Sequence, residues 1–215
     1  MTSNKLELTG LYGITAQEHS RGRGNREVVA LMLSAGIRII QYREKDKSMR
    51  ERYEECLVLA PMVRAAGGLF IVDDHPDLAL AVGADGVHVG QEDLPLAAVR
   101  QLVGPGLIVG VSTHGPVQAQ KAAQEGADYI GVGPIYPTST KKDVVPPVGL
   151  SYLDWVAAHI GLPFVAIGGI KEHNLPEVVA HGARCAALVT EIVGAPDIPG
   201  KVARLQAIMG SAAKA

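Results

Sequence analysis

Along the chain, short and almost continuously apolar runs take turns with longer stretches in which apolar residues recur every three or four positions. The runs fall at residues 11–15, 37–42, 69–72, 86–89, 107–111, 129–132, 164–167 and 186–189. Their shortness, β-branched content and glycine or polar boundaries predict strands covered on both faces, as in a parallel sheet. The stretches between them predict helices over 25–35, 48–66, 76–82, 95–103, 116–125, 150–159, 175–181 and 198–209. Several begin with Pro or Asp, which suit a first helical turn. Gly83-Ala84-Asp85 and Gly126-Ala127-Asp128, with the variant Gly182-Ala183-Arg184, put a glycine at a helix stop before the next strand. Eight such alternations in 215 residues predict an α/β chain folded as a single-domain (β/α)8 TIM barrel. A short extension over about residues 1–9 and a tail over about 210–215 flank it. An open doubly wound sheet is the second choice, but Leu11-Tyr12-Gly13-Ile14-Thr15 lacks that fold's glycine fingerprint.

Composition narrows the class without changing it. Hydrophobic residues at 47% and charged residues at 20% provide for a packed core and exclude a disordered chain. A net charge of −2 gives no basic footprint for nucleic acid. No apolar run has the length of a membrane span, and residues 1–10 lack a signal-peptide core, so a cytoplasmic protein is expected. Cys56 and Cys185 have no metal-ligand spacing and are expected as small buried side chains.

In a (β/α)8 barrel the chemistry gathers on loops leaving the C-terminal ends of the strands, and polar residues concentrate there in this chain. The second strand runs out into Gln41-Tyr42-Arg43-Glu44-Lys45, where alternation puts Gln41, Arg43 and Lys45 on one side. The two cations either meet a polyphosphate or pair with Glu44 and Asp46 on the surface. The third strand ends in Asp73-Asp74-His75, and the fourth leads to His88, Gly90, Gln91, Glu92 and Asp93. Carboxylates from two strand ends suit one hard cation such as Mg2+ beside phosphate oxygens; equally, Asp77 or Asp93 can cap a helix. His75, His88 and His114 lack a zinc pattern, and Ser112 lies in no Gly-x-Ser-x-Gly elbow, which argues against a serine hydrolase.

After the sixth strand, residues 131–142 combine two glycines and two prolines with the hydroxyls of Thr138, Ser139 and Thr140 and the amines of Lys141 and Lys142. Such groups hold oxyanions, although a polar surface loop has the same composition. Gly168-Gly169 after the seventh strand, and the backbone N–H groups after the eighth near Val189 and Thr190, match the usual phosphate pocket of this fold.

Taken in order, Gln41-x-Arg43-x-Lys45, Asp73-Asp74, the run from Gly86 to Asp93, Gly110-Val111-Ser112, residues 131–142 and Ile167-Gly168-Gly169-Ile170 resemble the thiamine-phosphate synthase family over residues 11–192. The resemblance implies a transferase that joins 4-amino-2-methyl-5-(diphosphooxymethyl)pyrimidine to 4-methyl-5-(2-phosphoethyl)thiazole, or to its carboxylate. The products it implies are thiamine phosphate and diphosphate. It further implies one Mg2+ per subunit on Asp74 and Asp93, and Arg43, Lys45 and Lys141 at the diphosphate. Gln41 and Ser112 would lie near the pyrimidine, with Asp73 beside the diphosphate. Thr138, Thr140, Gly169, Val189 and Thr190 would receive the thiazole phosphate. The partners implied are small molecules, with no nucleic acid and no membrane, and a homodimer. Asp73 departs from the family's common Asn, and Thr190 from its common Ser. A thiazole tautomerase of the same superfamily, with His114 or His88 as base, and a non-catalytic phosphate-ligand sensor are the competing readings.

Overall fold

Eight strands form where the apolar runs predict them: β1 (Gly10–Ile14), β2 (Ile39–Tyr42), β3 (Leu69–Asp73), β4 (Gly86–Val89), β5 (Ile108–Thr113), β6 (Tyr129–Val132), β7 (Phe164–Ile167) and β8 (Cys185–Ala187). This computed structural model describes residues 6–140 and 145–211. Neighbouring strands are parallel, and β8 pairs back onto β1 through Gly10 with Cys185, which closes the ring and leaves no sheet edge. The helices between them are α1 (Asn25–Ser34), α2 (Met49–Ala65), α3 (Pro76–Ala81), α4 (Leu96–Val103), α5 (Pro116–Gln124), α6 (Gly149–His159), α7 (Leu175–Ala180), α8 (Val189–Val193) and α9 (Ile198–Ser211). Among the described residues no helix is long and apolar enough to cross a membrane.

The repeated Gly-Ala-Asp segments do more than stop helices. Gly83 and Gly126 take positive φ angles of 62° and 85°, a cheap conformation only for glycine. The aspartates that follow then tie neighbouring strands together: Asp85 Oδ2 accepts the Phe70 N–H, and Asp128 Oδ2 accepts the Val109 N–H, each at 2.8 Å. In α2, Ser48 and Glu51 cap each other's backbone N–H groups, which explains the helix start at the predicted place.

Successive strand residues face opposite ways, so the apolar residues divide into two cores. One lies between the strands and the helices, and includes Phe70, Val87, Ile130 and Leu153. The other fills the barrel: Tyr12, Ile14, Ile39, Ile71, Tyr129, Val165, Cys185 and Ala187, joined by Leu8 from the N-terminal extension. Both cysteines are buried, and burial pushes their thiols up to about 12, leaving them protonated and unreactive.

Several boundaries shift by a residue or two from those predicted, among them β1 at Gly10–Ile14 and the start of β2 at Ile39, and two of the shifts bear on the site. β5 continues through Thr113, because the Thr113 hydroxyl is satisfied inside the core by the Gly131 carbonyl and the Tyr152 hydroxyl, each at 2.8 Å. β8 stops at Ala187, and Val189 and Thr190 open α8 instead of ending a strand. The buried pair Ile192 and Val193, spaced three and four from Val189, is the helical signal that the short apolar run conceals.

Gly110 makes the barrel filling possible. It is in register with both His88 and Tyr129, and a Cβ there would sit 2.2 Å from the Tyr129 ring and 2.5 Å from His88 Nδ1. Gly110→Ala is expected to lower unfolding free energy in urea by about 1–3 kcal/mol, the usual cost of overpacking. Gly161→Ala, where a Cβ meets open space, is expected to change it by less than about 0.5 kcal/mol; equal effects would show that Gly110 is not sterically required.

Candidate active site

The C-terminal rim of the barrel collects most of the polar residues singled out in the sequence. Thr15, fully buried beyond β1, grips the first residue after β2: the Arg43 N–H donates to Thr15 Oγ1 at 2.8 Å, and that hydroxyl donates to the Arg43 carbonyl at 3.3 Å. Fixed this way, Arg43 places Nε 3.5 Å from Asp73 Oδ2, and Lys45 Nζ lies 3.3 Å from the same oxygen. Lys45 also donates directly to Asp74 Oδ2. Arg43 and Lys45 therefore turn to the end of β3, while Glu44 accepts the Gln17 N–H at 3.1 Å.

The two aspartates differ in their electrostatics. Burial, reinforced by the neighbouring Asp74 charge, pushes the Asp73 carboxyl up to about 6 despite Lys45 and Arg43. Asp74 is also penalised by burial, but the Lys45 ammonium outweighs it and holds the carboxyl below the usual range. The Asp74 and Asp93 carboxyls come within hydrogen-bonding reach of each other. Burial and the Asp74 charge together raise Asp93, against the pull of the Gly90 N–H, which donates to Asp93 Oδ2 at 2.7 Å. That bond closes a turn after β4. Helix α4 is capped instead at Pro95 without a side-chain bond, so Asp93 is not a helix cap. Asp74 itself sits at a φ of +61°, a conformation uncommon outside glycine, which swings its carboxyl toward Lys45 and Asp93.

Below this cluster a chain of hydrogen bonds crosses the barrel interior. Gln41 Nε2 donates to the Tyr12 hydroxyl at 3.2 Å, and Tyr12 meets the Tyr129 hydroxyl at 2.8 Å. Tyr129 meets His88 Nδ1 at 3.0 Å, and His88 Nε2 meets Ser112 Oγ at 2.9 Å. Gln41 and Ser112, far apart in sequence, are thus the two ends of one buried connection. The sequence pattern alone does not reveal the roles of Tyr12 and Tyr129. Their inward phase in β1 and β6 was the available signal, hidden because tyrosine also reads as a core residue.

The other half of the same rim carries the oxyanion-binding candidates. After β6, Ile135 and Tyr136 donate their N–H groups to the carbonyls of Ile167 and Gly168, each at 2.9 Å, so the loops after β6 and β7 lie against each other. Gly168 and Gly169 have φ values of 97° and 65°; a Cβ on Gly169 would stand 2.5 Å from the Pro137 carbonyl oxygen. Thr138 and Thr140 follow at once, in a tight turn in which Thr140 N–H donates to Thr138 Oγ1 at 3.3 Å. Val189 and Thr190 open α8, and Lys171, beyond Gly169, donates to Thr190 Oγ1 at 3.0 Å. Lys171 was missed in the sequence because it falls between the glycine turn and the helix predicted from residue 175. Lys141 lies outside the described residues.

The histidines suggested as bases are committed elsewhere. His114 Nδ1 is 2.6 Å from the Gly133 carbonyl, and His88 belongs to the internal chain. His75 contacts Arg52, and burial with that cation lowers its proton affinity. Among the described residues no three His, Cys, Asp or Glu side chains gather as a metal centre. The acidic cluster is small and all-oxygen.

The family sequence model described as thiamine monophosphate synthase matches residues 11–192. Thiamine-phosphate synthase of Pelotomaculum thermopropionicum is 63% identical over 199 residues, covering 93% of this chain and 91% of that protein. The corresponding protein of Lawsonia intracellularis is 57% identical over 200 residues, covering 93% and 92%. Among solved structures, thiamine phosphate pyrophosphorylase from Pyrococcus furiosus superposes with a TM-score of 0.86 at 35% identity, covering 95% of this chain and 96% of its own. Matched through residues that run from β1 into α8, and so across the whole barrel, the chain belongs to the thiamine monophosphate synthase family.

Proposed function

We propose that this transferase forms thiamine phosphate by joining 4-amino-2-methyl-5-(diphosphooxymethyl)pyrimidine to 4-methyl-5-(2-phosphoethyl)thiazole or its carboxylate, with release of diphosphate. The observation that supports it most is the division of one barrel mouth into two unlike halves. Cations and carboxylates crowd the ends of β2, β3 and β4, while glycines and hydroxyls line the loops after β6, β7 and β8. The first half suits a diphosphate and the second a phosphate monoester.

In the reaction the bond between the pyrimidine methylene carbon and the diphosphate oxygen breaks, and the electron pair leaves with diphosphate. The 4-amino group feeds electron density into the ring and so supports the methylene cation. The thiazole nitrogen then donates its lone pair to that carbon; from the carboxylate substrate, CO2 is lost as well. No protein nucleophile is needed, which fits two cysteines held protonated in the core. Arg43 and Lys45, with Lys141 by resemblance, meet the charge that grows on the leaving group, where fixed cations act most strongly. Gln41 and Ser112, anchored through Tyr12, Tyr129 and His88, present polar groups to the pyrimidine edge. Thr138, Thr140, Gly169, Val189 and Thr190 receive the thiazole phosphate.

Asp74 and Asp93 fit one Mg2+ per subunit: they are facing hard-oxygen donors whose mutual repulsion is relieved in this structure by a lysine ammonium. When bound there, Mg2+ supplies further neutralisation of the departing diphosphate. Two carboxylates are few, as this ion requires when water and phosphate oxygens complete its shell.

Diphosphate release, followed in a coupled assay, is expected only with both substrates and Mg2+, and is expected to stop with EDTA; metal-independent release would remove Asp74 and Asp93 from this role. Asp93→Ala and Lys141→Ala are each expected to lower kcat about a hundredfold, by comparison with loss of one oxyanion contact, with an unchanged urea midpoint. Near-wild-type kcat in either, at saturating Mg2+, contradicts the site assignment. Asp73→Asn removes a buried charge that competes with the diphosphate for Arg43 and Lys45. Its KM for the pyrimidine diphosphate is expected to fall about threefold to tenfold, equivalent to roughly 1 kcal/mol; a rise would mean that Asp73 positions those cations.

A further inference from the structure

We infer that Lys171 is the specificity-determining cation for the phosphate of the second substrate, and that it sets the preference for the phosphorylated thiazole over its free alcohol. The inference rests on the reading that Gly169 and Thr190 bind that phosphate. A phosphate monoester carries close to two negative charges near neutral pH. Hydroxyls and backbone N–H groups supply hydrogen bonds without any net charge. Charge matching at the loops after β7 and β8 calls for a cation, and Lys171 brings one to Thr190.

Its position is held by the backbone. The Lys171 N–H donates to Asn174 Oδ1 at 2.7 Å, and Asn174 Nδ2 donates to the Gly169 carbonyl at 3.2 Å. Asn174 and Leu175 in turn donate their N–H groups to the Lys171 carbonyl at 3.2 and 2.9 Å. Asn174 therefore staples Lys171 to the glycine turn, fixing the distance between its Cα and Gly169. From there the side chain reaches across to the first turn of α8, where Nζ donates to Thr190 Oγ1 at 3.0 Å.

The ammonium also has capacity left for a ligand. It carries three donors, and Thr190 takes one. Its carboxylate neighbour, Glu191, stands 3.5 Å away and is held more closely by Lys201, at 2.8 Å. Lys201 is fully occupied by comparison, bound to Glu172 at 2.6 Å as well. The Lys171 side chain remains 39% exposed, so a phosphate arriving at Thr190 meets a cation already in place. A compact ammonium on a flexible stem suits a phosphate as a point charge.

The test compares Lys171→Ala, Lys171→Arg and Glu191→Gln, using calorimetric binding of the thiazole phosphate and steady-state kinetics with the thiazole phosphate and the thiazole alcohol. Lys171→Ala is expected to weaken thiazole phosphate binding and raise its KM about tenfold or more. The KM for the pyrimidine diphosphate should stay unchanged, and the kcat/KM preference for phosphate over alcohol should fall by the same factor. Lys171→Arg should keep most of that preference, and Glu191→Gln should leave the thiazole phosphate KM within about twofold of wild type. An unchanged preference in Lys171→Ala overturns the inference, and so does an equal loss in Glu191→Gln, which would make Lys171 only a tether between loops. Failure of the wild type to turn over the two substrates would refute the proposed reaction. Binding of the thiazole phosphate would still decide the role of Lys171, and a wild type that does not bind it would overturn both.

Discussion

The hydrogen-bonded chain through the barrel, from Gln41 by way of Tyr12, Tyr129 and His88 to Ser112, is the constraint on which the rest of the site depends. Polar groups buried in a dry interior cost several kcal/mol unless bonded, and each of these finds its partner only when five strands sit in one register. Burial holds both tyrosines far above the usual phenol range, so they act as neutral hydrogen-bonding groups. The absence of a side chain at Gly110 leaves the volume that the Tyr129 and His88 rings occupy. Packing and polar satisfaction are therefore one condition in this barrel.

Above that layer the rim carries charge that the interior could not. Arg43, Lys45, Asp73 and Asp74 form a cluster whose opposite charges offset the cost of partial burial. An exposed ion pair contributes little, about 0–1 kcal/mol; its value here is preorganisation. Lys45 is held above its usual range because the carboxylates of Asp73 and Asp74 outweigh burial, so it stays charged at neutral pH. Cations fixed before the reaction need no reorganisation as charge develops, the condition under which they lower a barrier most.

The two halves of the mouth rely on different physics. At β2, β3 and β4, side-chain charge dominates. At β6, β7 and β8, backbone geometry dominates: positive φ at Gly168 and Gly169 brings two loops into van der Waals contact that no larger residue allows. Lys171 is the exception, a charge stapled onto the second half by Asn174.

The barrel was legible in the sequence because its signals are local. Strand length, apolar continuity and glycine stops each act within a few residues, and the eight-fold alternation leaves few ways to close a sheet. Arg43, Lys45, Asp73, Asp74 and Asp93 were legible as well, since motif spacing places them at strand ends whatever the packing. Pairings were not. Whether Arg43 meets Glu44 or Asp73, whether Asp93 caps a helix or faces Asp74, and whether Gln41 and Ser112 communicate all depend on residues tens of positions apart. The start of α8 at Val189 was lost for a similar reason, because Ile192 and Val193 become a helical face only against the core they bury in. Sequence alone determined which residues stand at the barrel mouth, for strand periodicity is a property of the chain. Tertiary structure decided which of them touch, because ring closure sets distances that no local pattern encodes.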